Sequence, residues 1–135
     1  YDDYVDFENG QWNVQQKPAF EFEIKDTAQH YQVYANIRNA VSYPESRFFF
    51  QYTLQDSLQV LHKKLEQISL FDHKTGEPFG SSGLGDIYDH ELLLLKDYSF
   101  KHRGKYRVIV EQFTRKDTLE GILAVGVRVE ASAKE

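Results

Sequence analysis

The 135-residue chain contains no cysteine. That excludes a disulfide, a thiolate metal site and a cysteine nucleophile within these residues. It does not fix the compartment, because cytosolic and secreted domains alike do without cysteine. Methionine is absent too, and the chain opens on Tyr1. The expectation is a native start upstream, with a targeting segment removed or the chain trimmed. No apolar run exceeds that of Leu92 to Leu95, far short of the roughly 18 residues a membrane helix needs. An excess of positive charge is also missing. Lys and Arg number 16 against 21 Asp and Glu, leaving a net charge of -5. This argues against a general nucleic-acid binder, which works by displacing counterions from a basic face. The local cluster Lys101, His102, Arg103, Lys105 and Arg107 reads as a solvated strand edge, where charge deters sheet-to-sheet association.

What is abundant is aromatic, with ten Phe and nine Tyr. Aromatic and β-branched side chains suit the half-buried surface of a sheet. Several stretches alternate with a period of two. From Ala19 to Lys25, Phe20, Phe22 and Ile24 share one face, with Glu21 and Glu23 between them. Tyr31, Val33, Ala35 and Ile37 do the same between His30 and Arg38. So do Phe48, Phe50, Tyr52 and Leu54 between Arg47 and Leu54, with Phe49 hinting at cover on the other face. Tyr106, Val108 and Val110 are expected inward in Lys105 to Phe113, or Ile109 with Phe113 as well if the strand is covered on both sides. Leu123, Val125, Val127 and Val129 are expected on one face of Ile122 to Glu130.

Two stretches are less regular. Leu58, Leu61, Leu65 and Ile68 stand at helical spacing, yet Gln67 to Phe71 and both neighbours read as β. The expectation is a strand with a bulge near Lys63 and Lys64; a short helix over Gln59 to Glu66 is the alternative. Glu91 to Leu95 is expected as a short buried strand, and His73 to Gly85 as the longest loop. Together these readings predict an all-β, single-domain antiparallel β-sandwich of jelly-roll or Greek-key kind. It spans residues 1–135, with 1–17 an extended N-terminal segment and 131–135 a frayed tail.

Catalytic signatures are missing. Gly80 to Asp86 is glycine-rich, but no helix pattern follows Ile87 to receive a phosphate. None of His30, His62, His73, His90 and His102 stands at metal-ligand spacing. Asp86 and Asp89 are too few for a calcium shell unless carbonyls or waters join them, and a turn role suits Asp86 better. Nothing selects a glycosidase pair among the acids. The polar run Asn36-Ile37-Arg38-Asn39, beside Tyr34 and Tyr43, offers a planar fork of donors and amides that both donate and accept. Such a set grasps a sugar or a peptide edge. It equally serves structure, with Arg38 paired to Glu111 or another acid and Asn39 closing a turn.

The chain resembles the gliding-motility lipoprotein GldH family of the Bacteroidetes. The resemblance rests on Tyr1-Asp2-Asp3-Tyr4 and Trp12, Asn36-Ile37-Arg38-Asn39 followed by Tyr43-Pro44, Gly83-Leu84-Gly85-Asp86-Ile87, and the C-terminal run from Gly104-Lys105-Tyr106 through Glu111-Gln112 and Leu119-Glu120-Gly121-Ile122 to Val125-Gly126-Val127-Arg128-Val129-Glu130. It implies a lipoprotein signal peptide and a lipidated cysteine upstream of Tyr1, which would account for the missing Met and Cys. The acyl chains would hold the domain to a membrane, in the periplasm, within the gliding and secretion machinery. It implies no catalytic residue and no cofactor. The expected function is a non-enzymatic envelope lipoprotein that binds other machinery proteins, with no nucleic-acid partner. The alternative is a carbohydrate-binding jelly-roll module. The candidate contact residues are Trp12, Tyr34, Asn36, Arg38, Asn39, Tyr43 and Asp86.

Overall fold

The computed structural model describes residues 1–82 and 85–133. Gly83 and Leu84 of the glycine-rich loop, and Lys134 and Glu135, lie outside the described residues. Among the described residues eleven strands form: β1 (Asp2–Asp6), β2 (Gln11–Asn13), β3 (Ala19–Ile24), β4 (Tyr31–Ala40), β5 (Arg47–Gln55), β6 (Val60–Ser69), β7 (Ser81–Ser82), β8 (Ile87–Tyr98), β9 (Gly104–Gln112), β10 (Thr118–Glu120) and β11 (Ile122–Ala131). A single 3-10 turn at Glu8–Gly10 is the only helical element among the described residues.

The strands make an all-β antiparallel sandwich, as the alternation predicts. A five-stranded sheet runs β1-β11-β4-β8-β7, a four-stranded sheet runs β3-β9-β5-β6, and β10 with β2 form a small third sheet. Each large sheet turns one apolar face inward. Phe20, Phe22, Phe48, Phe50, Tyr52, Leu54, Tyr106, Val108 and Val110 of the four-stranded sheet meet Val33, Ala35, Ile37, Val125, Val127 and Val129 of the other, all buried. Burying each large apolar side chain contributes about 1.5–3 kcal/mol.

The stretch with helical spacing, Leu58 to Phe71, is strand over Val60–Ser69. Its irregularity lies opposite the Leu54/Gln55 step of β5, at Leu61, rather than at Lys63 and Lys64. β8 is far longer than the expected Glu91 to Leu95. Irregular register between Tyr31, Val33 and Tyr34 and their β8 partners shifts its alternation and hides the period. A similar irregularity between Ile122 and Ala124 changes the phase of β11, so Ala124 is buried and Leu123, expected inward, is only half-buried.

Phe49 stays on the solvent side of β5. Lys105 and Arg107 are not on a sheet edge, since β9 lies between β3 and β5. They stand opposite Glu23 and Glu21, a complementary cross-strand pattern. At the C-terminus, the Ser132 N–H donates to the His30 carbonyl at 2.8 Å.

Candidate functional site

The outer face of the five-stranded sheet gathers the polar residues of β1, β11, β4 and β8. Its cross-strand rows follow from the register. Asp2, Arg128, Tyr34 and Leu93 lie abreast, then Tyr4, Gly126, Asn36 and Glu91, then Asp6, Ala124, Arg38 and Asp89. Glycine in the middle row leaves a hollow. A Cβ on Gly126 would fall 2.7 Å from the Asp3 carbonyl and 2.9 Å from the Tyr4 Cβ, so β1 closes tightly over β11 only because the position is bare. Around it is a shallow depression of about 440 Å³, lined among others by Tyr4, Asn36, Arg38, Asp89, Glu91 and Gly126.

Both arginines of this face are held by forked bonds. Arg38 Nε and Nη2 donate to Asp89 Oδ1 and Oδ2 at 2.8 and 3.2 Å. Arg128 Nε and Nη2 donate to Glu91 Oε2 and Oε1 at 3.0 and 2.7 Å, and Nη1 donates to Glu130. To reach Glu91, Arg128 crosses β4 over the Tyr34 ring, its Cζ 4.1 Å from the centroid. The Tyr34 hydroxyl donates to Glu130 Oε1 at 3.0 Å. That bond, with Arg128 close by, holds the Glu130 carboxyl below the usual range, and the same bond raises the Tyr34 hydroxyl. The bond to Asp89 likewise raises Arg38. The carboxylates of Asp2, Asp6, Asp89, Glu91 and Glu130 outnumber the guanidiniums of Arg38 and Arg128, so the face is acidic.

Of the sequence candidates, Tyr34, Asn36 and Arg38 come together on this face. Arg38 pairs with Asp89 rather than Glu111, because Asp89 stands directly opposite on β8. Asp86 is exposed elsewhere, on the turn before β8, where its carbonyl accepts from the Val41 N–H at 2.8 Å.

Trp12, Asn39 and Tyr43 require correction as contact anchors, because all three are buried. Trp12 stacks on Phe7 at 4.5 Å and its Nε1 donates to the Gln16 carbonyl at 2.7 Å. Tyr43 packs edge-on against Phe48, and burial pushes its hydroxyl up to about 12. Asn39 donates through Nδ2 to the Ala40 carbonyl at 3.0 Å, leaving Oδ1 to accept from His90 Nε2 at 2.6 Å.

The residues that sequence reasoning passed over are Arg128, Glu91 and Gly126. A glycine inside an apolar strand, as at Gly126, is the signal that marks a close backbone approach. Among the described residues no cluster of three His, Asp or Glu stands ready to hold a metal.

The fold and this face define an antiparallel β-sandwich with one wet, charged outer sheet face. The family model described as GldH lipoprotein matches residues 1–129, and the chain belongs to that family. The gliding motility lipoprotein GldH homolog of Christiangramia forsetii is 30% identical over 140 residues, covering 98% of this chain and 83% of that protein. The gliding motility lipoprotein GldH of Flavobacterium johnsoniae is 25% identical over 129 residues, covering 88% of this chain and 77% of that one. Among solved structures, dimeric latent PorU from Porphyromonas gingivalis aligns with 94% of this chain but 12% of its own, at 9% identity. Its TM-score of 0.39 is too low to bear on function. Membership in a lipoprotein family implies a membrane-anchored place in the cell envelope. No helix among the described residues is long and apolar enough to cross a membrane.

Proposed function

We propose that residues 1–135 act as one β-sandwich domain on the periplasmic side of a membrane, a non-enzymatic component of the gliding and secretion machinery. It binds a protein partner through the outer face of β1, β11, β4 and β8. The observation that carries this reading is the hollow over Gly126, ringed by Tyr4, Asn36 and Arg38, whose charge is already matched by Asp89. Such a face is shaped and preorganised for contact.

The sugar-binding alternative needs open aromatic platforms. Trp12 is fully buried and one face of Tyr34 lies under Arg128, so the observations favour the protein-contact reading. The test is photo-crosslinking from Asn36 and Tyr4 in native membranes of the lipidated protein. Products with envelope machinery proteins are expected from both positions and not from the opposite sheet at Glu21. Recovery of cytosolic proteins alone, or of none, would overturn the proposal.

A further inference from the structure

The four-stranded sheet ends in an open edge that the contact face described above does not use. β6 is ten residues long and bonds to β5 on one side; among the described residues no strand pairs with its other side. Natural sheets keep such edges short, bulged or covered. Here the one register irregularity lies near the start, so the edge runs straight from His62 to Ser69. β6 is also largely wet, with Val60 55% and Leu65 49% exposed, while Leu61 and Ile68 pack against the core. On the outer face Leu65 stands with Phe49 and Phe113, themselves 38% and 52% exposed, around a depression of about 610 Å³. Together they form an apolar patch beside an unfilled row of backbone donors and acceptors.

The sequence of this edge says what fits it. A two-fold axis perpendicular to a sheet sets each residue opposite one on the same face, so the centre of an antiparallel self-pairing falls on a residue. Centring on Lys64 opposes lysine to lysine, and centring on Glu66 opposes glutamate to glutamate; both are unfavourable. Centring on Leu65 opposes leucine to leucine on the apolar face. It also sets Lys64 against Glu66 of the partner subunit twice over, and Lys63 against Gln67 of the partner subunit. Within one chain Lys64 Nζ already lies 3.2 Å from Glu66 Oε1, so both charges sit on one face, ready to exchange partners. The lysines that would repel a general β-edge are thus matched by this one.

We propose that two copies of this chain pair through β6, antiparallel about Leu65, joining their four-stranded sheets into one and bringing the Leu65 and Phe49 patches together. The interface is isologous and closed, so it stops at the dimer.

Sedimentation velocity of the full chain from micromolar to millimolar concentration tests it. A monomer–dimer equilibrium is expected. Lys64→Glu and Glu66→Lys, each alone, weaken it by about tenfold, the equivalent of 1.4 kcal/mol. An equimolar mixture of these two variants forms a heterodimer, because each then offers the other its missing charge. Leu65→Lys abolishes pairing. Unchanged near-ultraviolet circular dichroism shows that the substitutions leave the fold intact. A monomer at every concentration overturns the proposal. So does a dimer of equal strength in all variants, or folded single variants whose mixture fails to pair.

Discussion

The Arg128 guanidinium lies over the Tyr34 ring, 4.1 Å from its centroid, and grips Glu91 on the far side of β4. One side chain thereby ties β11 to β8 across the strand between them. The ring excludes water from one side of the cation, which strengthens both the cation–π attraction and the forked bond. Replacing Arg128 with Ala is expected to lower stability by about 1 kcal/mol, the usual range for a pair still partly in water. Lys at this position restores little, because an ammonium cannot make the fork. Urea unfolding midpoints check this; a full rescue by Arg128→Lys would show that charge alone matters.

Trp12 is the only tryptophan of the chain and is wholly buried against Phe7 and Phe48. Its fluorescence is expected to be blue-shifted in the native state and to move red on unfolding. Trp12→Ala should cost about 3–5 kcal/mol, and Trp12→Phe less. Wild-type stability in Trp12→Ala would contradict the packing described.

His90 carries a pH dependence. Burial lowers its ring below the ordinary histidine value, while neighbouring Asp89 pulls weakly the other way. Its Nε2 proton is committed to Asn39, and a Cβ on Gly80 would lie 2.8 Å from Nδ1. The second proton therefore has to enter a crowded, desolvated place. The unfolded chain accepts that proton near pH 6.5 and the folded chain only at lower pH. Stability is thus complete above the unfolded value. It falls as pH drops below that value, by at most about 1.4 kcal/mol per pH unit, and levels off below the folded value. Unfolding curves between pH 7.5 and 5 are expected to show this slope, and His90→Gln, which keeps a donor for Asn39, to flatten it. An unaltered slope in that variant would assign the effect elsewhere.

Gly126→Ala tests the close approach of β1. The added methyl meets the Asp3 carbonyl and Tyr4, so β1 is expected to lift away while the rest of the sheet holds. Faster amide hydrogen exchange confined to Asp2–Asp6 is the readout, together with loss of crosslinking from Tyr4. Protection equal to wild type would mean that β1 adjusts without release.

Gly121 has φ of +99° and its bare Cα faces the Tyr43 backbone, where a Cβ would stand 2.9 Å from the Tyr43 Cα. Gly121→Ala is expected to destabilise by about 1–3 kcal/mol, through strain at positive φ and the clash together. A thermal midpoint within error of wild type would refute this.

The sequence by itself determined the all-β class and the inward faces of β3, β4, β5 and β9. An alternation of period two leaves a strand one way to bury its grease. It also carried the family, through short runs spread along the chain. The three aspartates, Tyr4 and Val5 of Asp2–Asp6 show no apolar period, because β1 buries little and is held by backbone pairing to β11. β8 was obscured because its register irregularities shift the alternation midway. Only the tertiary structure decided that Trp12 and Tyr43 belong inside and that Arg38 takes Asp89 as its partner. Polarity sets which side chains tolerate water, but burial depends on which strand from a distant part of the chain lies opposite. The same holds for the grip of Arg128 on Glu91, made by residues 37 positions apart that meet only once β4 has come between their strands.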